Sequence, residues 1–442
     1  MRSVFPGVFF LWLSISPAVF AEGPDSAVPA APPALTLEAA VERAVAQSIS
    51  LQINAIDLQT AKREADTLWA QFFPSLTIGA GVSYAASPLT EKNAQTSSRD
   101  PVTYTLNFRA SISLNERILT TLERIKLLYQ SRFFSYEQAR RQIEIQVSRS
   151  FYTLLAQKEN ISIREEVLNL AELQLEKNRI SFENGFISNL VYLQSRLSAE
   201  TEKLNLNRAR TEYNSSLREF LMLLGYDQNA ETRLEGTIEA IPFDADPEQL
   251  IREYLPKRPD IISQRQKIEQ LENTRTQTFL TSRGPSINLS ASYDGNYFRE
   301  FTDNLSGSIT VAIPLDGWIP GTVKDQALRS ARAEVEKAKL ELKNIEDTAR
   351  TGIRSTSAQL RDSWTGIEIS RLRVEIAEQT YELTEEGFRN GTVELLTLED
   401  TRNRMAEARQ QLLTDELNYQ TMILDLAAAL NIDWREFLRS SG

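Results

Sequence analysis

The chain has 442 residues, a formal net charge of −11, and neither cysteine nor histidine. Histidine is the usual acid/base at neutral pH and the commonest transition-metal ligand, so its absence argues against an enzyme, a cofactor and a bound metal. The acidic balance argues against nucleic acid as a partner, because nucleic-acid binding requires clustered cationic side chains.

The N-terminus has the layout of a signal peptide for export. Arg2 supplies a positive charge, an apolar run covers 8–15, and small residues precede a predicted cleavage site after residue 21, so 1–21 is the predicted signal peptide. Residues 22–34 are rich in alanine and proline and are predicted to be a flexible N-terminal segment. No later apolar run reaches the roughly 18–20 residues of a transmembrane helix. Because the chain has no cysteine to receive a lipid, we expect an exported protein that is not lipidated.

Proline-free stretches predict two long helical zones. All 16 prolines lie outside 102–241 and 321–442, and a proline inside a helix costs about 3 kcal/mol. Residues 116–184 also lack glycine, so they are predicted to form a rod of about 100 Å at 1.5 Å per residue. Residues 322–386 are likewise predicted to form a long helix. Shorter helices are predicted at 36–73 and 187–224, and in the first half of the chain they could stack end to end beside the rod.

Apolar residues recur every seven positions in the first rod, which predicts coiled-coil packing. The residues of this stripe are Val147, Leu154, Ile161, Leu168, Leu175 and Phe182. In the second zone, alanines and larger apolar residues recur at spacings of three and four. A rod of this length is stable only when one face is buried, so both zones need packing partners.

Four short segments alternate apolar and polar residues, which predicts strands with two unlike faces. They cover 75–84, 102–114, 286–293 and 305–315, and each has about the length of a tilted membrane strand. Four strands cannot close a barrel, and an open edge is not tolerated in lipid, so several chains must share one barrel. Two chains would give eight strands, whose interior is filled by side chains, whereas three chains would give twelve strands around a water-filled lumen.

Two groups of residues are assigned to this membrane region. The polar strand faces are expected to line the lumen, and the residues singled out there are Asn107, Arg109, Asn288 and Asp294. Aromatic residues at strand–helix junctions are expected to lie at the membrane interface, and they are Phe72, Phe73 and Trp318.

The order of helix, strand pair, long helix and shorter helix occurs twice, which predicts an internal repeat. The predicted halves are 35–240 and 241–442. An ungapped alignment pairs Gly185 with Gly391, an offset of 206 residues, and pairs Asn184 with Asn390. Because glycine readily adopts positive φ, these Asn-Gly pairs are predicted to form the turns at the far tip of each rod.

The chain resembles the TolC-like outer membrane efflux family over essentially its whole mature length. The resemblance is carried by three motifs: Phe182-Glu-Asn-Gly-Phe186 with Leu190, Phe388-Arg-Asn-Gly-Thr392 with Leu395 and Asp400, and Leu255-Pro-Lys-Arg-Pro-Asp-Ile261. It implies a mainly α-helical chain with membrane strands, forming a homotrimer with a 12-stranded barrel and a helical periplasmic tunnel. It further implies docking of the tip turns to a periplasmic adaptor protein and an inner-membrane transporter. The implied location is the outer membrane of a Gram-negative bacterium, in contact with its lipid.

The resemblance also implies a periplasmic gate. In the best-known family member, acidic residues six and nine positions after the second tip glycine narrow the entrance. Asp400 matches the ninth position and Thr397 departs from the sixth, with Glu394 and Glu399 nearby. The polar residues that latch that member shut are replaced, for example by Phe388, so closure is expected to rely on apolar packing.

Other interpretations of the sequence stay open. A duct of the same fold could secrete proteins by a type I system instead of exporting small molecules. The chain could also be a periplasmic or surface coiled-coil structural protein whose strands form ordinary hairpins. Asp400 could be a solvated helix residue with no gating role, since most charged residues on helices are simply exposed.

Overall fold

A computed structural model of the chain describes residues 34–84, 102–112, 117–238, 240–243, 246–297 and 301–432. The predicted signal peptide and most of the predicted flexible segment, up to residue 33, lie outside these ranges. The last residue of that segment, Ala34, already belongs to a strand, because Ala34–Leu35 pairs in parallel with Arg233–Leu234.

Two similar sets of elements follow one another along the chain. In chain order they are β1 Ala34–Leu35, α1 Leu37–Gln47, α2 Ile49–Asp66, β2 Ser75–Tyr84, β3 Val102–Ile112, α3 Arg117–Glu183, α4 Asn189–Leu223, β4 Arg233–Leu234, α5 Pro247–Tyr254, α6 Pro259–Arg283, β5 Ser286–Tyr297, β6 Phe301–Ala312, α7 Val323–Arg389 and α8 Leu395–Leu430. Short 3-10 helices follow α2, α5 and β6. Within the described residues, no helix combines the length and hydropathy needed to cross a membrane.

The two predicted rods are confirmed as α3 and α7, each 67 residues long. At 1.5 Å per residue, each rod extends about 100 Å. The predicted single helix 36–73 is wrong, because the chain breaks at Ser48. The Ser48 N–H donates to the carbonyl oxygen of Ala44 at the end of α1, while its Oγ accepts from the Leu51 N–H at the start of α2. A serine that bonds locally to the backbone competes with helix continuation.

The predicted seven-residue stripe on α3 is wrong beyond Leu154. Val147 and Leu154 are buried, but Phe182 at the far end is 37 % exposed. Towards that end the buried positions are instead Ile163, Val167, Ala171, Gln174 and Asn178. A straight α-helix drifts by about 20° per heptad relative to a strict seven-residue repeat, so the contact face leaves the heptad positions.

The four long strands form one antiparallel sheet in the order β2-β3-β5-β6. The alternation therefore predicted all four strands correctly. β5 and β6 run four residues further towards their shared loop than predicted, and β6 ends at Ala312, two residues before Pro314, which has no N–H for the ladder. The β3–β5 pairing joins the first half of the chain to the second.

Each half of the chain has its own apolar cluster around the middle of its rod. In the first half, α1, the middle of α3 and the end of α4 bury residues such as Phe151, Leu154 and Leu224. In the second half, α5, α7 and α8 bury Leu360, Ile367 and Ile423 among others. The rods are thus fixed at mid-length, with the sheet at one end and the tip turns at the other.

Candidate functional site at the helix tips

The first tip turn connects α3 to α4 through a left-handed glycine. Gly185 has φ +77°, and its N–H donates to the Phe182 carbonyl oxygen at 2.9 Å. The Phe186 N–H donates to the Ser181 carbonyl oxygen, also at 2.9 Å. These two bonds define a Schellman motif, which satisfies the last carbonyl groups of α3. Ser188 then caps α4 by accepting from the Val191 N–H.

The second tip turn repeats this arrangement between α7 and α8. Gly391 has φ +72°, its N–H donates to the Phe388 carbonyl oxygen at 3.0 Å, and the Thr392 N–H donates to the Gly387 carbonyl oxygen at 2.9 Å. The structure thus places Asn184 and Asn390 at equivalent positions as the last residue before each turn. The sequence analysis did not identify Gly387 as a residue of this turn. It lies so close to Val393 that a Cβ at position 387 would be 2.7 Å from Val393 Cγ2.

The predicted gate residues divide between two sides of α8. Glu394, Thr397 and Asp400 are exposed, and Thr397 and Asp400 lie on the side opposite the buried Leu395, Leu398 and Met405. Asp400 Oδ2 lies 2.9 Å from Arg404 Nε, an exposed pair one turn apart. Such exposed pairs contribute little to stability, and the Asp400 side chain remains solvated.

Glu399 instead faces α4, where it belongs to a polar link between the two halves of the chain. Arg402 is only 4 % exposed, and its Nη2 donates to Ser198 Oγ at 2.8 Å. The half-buried Glu399 carboxylate lies beside both groups. Burial raises the pKa of the Glu399 carboxyl, against the opposing effects of Arg402 and Ser198. Sequence reasoning missed this link because its partners are about 200 residues apart in the chain.

Further polar contacts join the helices of the two halves along the tip region. Arg409 lies between α3 and α7, with Nη1 2.5 Å from Glu166 Oε2 and Nη2 2.6 Å from Glu378 Oε1. Lys177 Nζ lies 3.6 Å from Glu385 Oε1. Charged side chains therefore link α3 to α7 and α8 near the tip, alongside buried apolar residues such as Val167 and Leu398.

Large apolar side chains are left exposed in the tip region, and those on α4 and α7 form stripes. On α4 they recur at helical spacing and comprise Leu190, Leu193, Leu197 and Leu204. On α7 they comprise Ile369, Leu372, Ile376 and Leu383. Contiguous exposed apolar surface of this kind marks a contact with another protein or with a membrane.

The sheet separates apolar from polar residues onto its two faces. The pairing register aligns Gly79, Asn107, Asp294 and Asn304 in one row across the four strands. Asn288 is exposed and pairs with Thr310 on this same polar face. For Asn107, Arg109 and Asp294 the structure describes the backbone only. On the opposite face, Ile78 is 77 % and Leu305 78 % exposed.

The predicted interface aromatics lie at the strand–helix junctions. Phe72, Phe73 and Trp318 are exposed, and Trp69, which was not predicted, packs edge-on against Phe73. The Arg283 guanidinium lies 5.1 Å from the centre of the Trp318 ring.

The buried Asp325 fixes the turn into α7 beside Trp318. Its carboxylate accepts from the Gly321 N–H at 3.1 Å and lies 3.0 Å from Arg329 Nε and 3.2 Å from Arg283 Nη2. The Gly321 N–H, with both arginines, lowers the pKa of Asp325. In the part of the chain that the structure describes, no group of three or more acidic residues is arranged to hold a metal ion.

The family model described as "Outer membrane efflux protein" matches residues 40–226 and 250–431, which is most of the chain. The chain belongs to the outer membrane efflux protein family. The two matched stretches contain both tip turns and all four strands of the large sheet. The predicted family is therefore confirmed, as is the predicted location in the outer membrane of a Gram-negative bacterium.

Individual proteins of this efflux family are similar to the chain over most of its length. The antibiotic efflux pump outer membrane protein ArpC of Pseudomonas putida is 24 % identical over 429 residues, covering 90 % of this chain and 84 % of that protein. The toluene efflux pump outer membrane protein TtgC of Pseudomonas putida is 24 % identical over 430 residues with the same coverage. The solved CmeC outer membrane channel of Campylobacter jejuni has the same fold, with a TM-score of 0.74 at 18 % identity, covering 92 % of this chain and 89 % of that one.

Proposed function

We propose that the chain is the duct of a tripartite efflux system and carries small molecules across the periplasm and outer membrane. It would act as a homotrimer, with twelve strands in one barrel and the helices in a periplasmic tunnel. An adaptor protein would dock at the tip turns, and an inner-membrane transporter would supply the energy. No residue of the chain performs chemistry on the cargo, and no cofactor is needed.

The observation that carries this proposal is the two-faced sheet with open edges. Among the described strands, β2 and β6 each pair on one side only. In lipid, every backbone N–H and C=O needs a partner, so these edges must pair with strands of other copies. The exposed apolar face, including Ile78 and Leu305, would then contact lipid, and the face carrying Asn288 would line the lumen. The junction aromatics Phe72, Phe73 and Trp318 would lie at the headgroup level.

The exposed apolar stripes of α4 and α7 support association of several copies. Their spacing is that of a helix face which packs against another helix. Residues such as Leu197 and Leu383 are exposed in one copy and would be buried between neighbouring copies of the tunnel. The halves 35–240 and 241–442, related by duplication, would give such a trimer its pseudo-sixfold ring of helix pairs.

The exposed side of α8 supports a selective entrance. Glu394, Thr397 and Asp400 lie within about two turns of the second tip turn, and their side chains are solvated. In a trimer they would form rings of acidic and polar side chains, which favour cations. Efflux, rather than type I protein secretion, is the better proposal because the similar proteins ArpC and TtgC belong to efflux pumps.

Conductance across a planar bilayer tests this function. Purified protein should insert as a trimer detectable by cross-linking and give channels with a mild cation preference in a salt gradient. The double substitution Glu394→Gln and Asp400→Asn should reduce that preference, whereas Glu219→Gln, an exposed acidic residue at the far end of α4, should not. Absence of conductance from wild type and from Asp400→Ala with Thr397→Ala, or extraction of the protein from membranes by carbonate, would refute the duct.

A further inference from the structure

The two tip turns carry the only Asn-Gly pairs in the chain, at 184–185 and 390–391. Both asparagines are exposed, and a Cβ added to either glycine would meet nothing within 4 Å. We propose that Asn184 and Asn390 are sites of spontaneous deamidation, which converts each asparagine to aspartate or isoaspartate as the protein ages. Asparagine is a thermolabile residue, and a following glycine leaves its side chain open to attack by the backbone.

The reaction needs only the chain and water. The backbone nitrogen of the glycine attacks Cγ of the asparagine, so that a C–N bond forms and the Cγ–Nδ2 bond breaks. The side-chain nitrogen leaves as ammonia together with the proton of the glycine N–H. Water then opens the five-membered succinimide at either carbonyl and gives aspartate or isoaspartate. No oxidant or reductant takes part.

The hydrogen bonds at the two turns determine which of the two asparagines deamidates faster. Each glycine N–H must first leave its acceptor, Phe182 or Phe388, and helix ends open more readily than helix interiors. Asn184 Nδ2 also donates to the Ile180 carbonyl oxygen at 2.8 Å. Among the described residues, the Asn390 side chain has no such bond. Because one further hydrogen bond must break, we expect Asn184 to convert about two- to tenfold more slowly than Asn390.

The products alter the tip turn itself. Isoaspartate adds one methylene to the backbone between positions 390 and 391, which moves the Thr392 N–H away from the Gly387 carbonyl oxygen. Either product adds a negative charge at the C-terminal end of a helix, where the dipole is unfavourable. If the tip turns dock the adaptor, which is the part that rests on the proposed function, an aged duct would lose affinity for its adaptor.

Peptide mapping by mass spectrometry tests the chemistry without reference to transport. Full-length protein in detergent is aged at mildly alkaline pH, and the conversion of each asparagine is followed over time. Asn403 is the internal control, since it is exposed on α8 but is followed by arginine. We expect Asn390 to convert at least about tenfold faster than Asn403. Gly391→Ala should abolish this difference in rate and leave the conversion rate of Asn184 unchanged. Gly185→Ala should do the reverse.

Two results would overturn the proposal. Conversion of Asn184 and Asn390 at the rate of Asn403 would show that the turns protect their asparagines. An unchanged rate at Asn390 in Gly391→Ala would show that the following glycine is not the cause. Faster conversion at Asn184 than at Asn390 would contradict the role given to the bond to Ile180.

Discussion

The middle of the helical rods is packed around two apolar clusters, whereas the tip combines buried apolar residues such as Val167 and Leu398 with polar links between the two halves. In the middle, residues such as Leu360, Ile423 and Phe151 are buried in two apolar clusters. Near the tip, the helices of the two halves are linked by polar contacts such as Arg402 to Ser198, while leucines of α4 face solvent. Apolar burial is strong and insensitive to small shifts, whereas buried polar links depend on exact partners. The middle is therefore suited to fix the rods, and the tip to rearrange.

Removing a side chain from the middle should have the largest effect. Leu360 is fully buried on α7, so Leu360→Ala should lower the free energy of unfolding by about 2–5 kcal/mol, through lost burial and a residual cavity. Denaturant unfolding followed by circular dichroism measures this. Leu383→Ala on the same helix is the matched control, because Leu383 is 70 % exposed. It should leave the unfolding of the protomer nearly unchanged and weaken cross-linking between copies instead. Equal losses of stability would contradict the comparison.

Breaking the polar link at the tip should have a smaller and local effect. Arg402→Ala removes the partner of Ser198 and should cost about 1–3 kcal/mol at the α4–α8 contact. Hydrogen exchange should therefore speed up at the start of α4 and not at the middle of α3. Arg404→Ala is the matched control, since Arg404 is exposed and forms its ion pair with Asp400, one turn away on the same helix. Similar exchange rates in both variants would show that Arg402 does not hold α8 against α4.

A glycine-to-alanine substitution should lower stability in the tip turn and raise it in the rod. Gly391 has φ +72°, so Gly391→Ala should destabilise the turn by about 1–2 kcal/mol through backbone strain. Gly352 lies inside α7, where an added Cβ meets nothing within 4 Å. Gly352→Ala should therefore stabilise the rod by up to about 1 kcal/mol. Thermal unfolding compares the two variants, and a stabilising Gly391→Ala would refute the left-handed turn.

The smallest expected effect is a pH dependence of the tip contact. Burial raises the pKa of Glu399 in the folded protein. The folded state therefore binds the proton more tightly, and the resulting stabilisation is complete below the ordinary pKa and lost as pH rises through the raised value. Glu399→Gln should abolish this dependence in hydrogen exchange at α4 and slow exchange at neutral pH. Glu394→Gln, a loss of the same charge at an exposed site, should leave the dependence intact.

The parts of the fold that depend on neighbouring residues were predictable, and the parts that depend on distant ones were not. The alternation around Ile78 and Ile309 predicted the strands, and the Asn-Gly pairs predicted the tip turns, because period and turn chemistry are local. The break at Ser48 was missed because one serine in an apolar pattern does not decide whether a helix continues. The pairing of Arg402 with Ser198 required the packing of α8 on α4, which no local pattern contains.

In the proposed duct, one face of the sheet contacts lipid and the other faces a shared aqueous lumen. Because the natural chain has no cysteine, single cysteines at Thr77, Ile78, Ile309 and Thr310 can be labelled in outer membranes without background. Thr77 and Thr310 lie on the polar face, and their neighbours Ile78 and Ile309 lie on the apolar face. A water-soluble maleimide should label the cysteines that replace the threonines and spare those that replace the isoleucines. Equal labelling at all four positions would contradict this arrangement of the two faces.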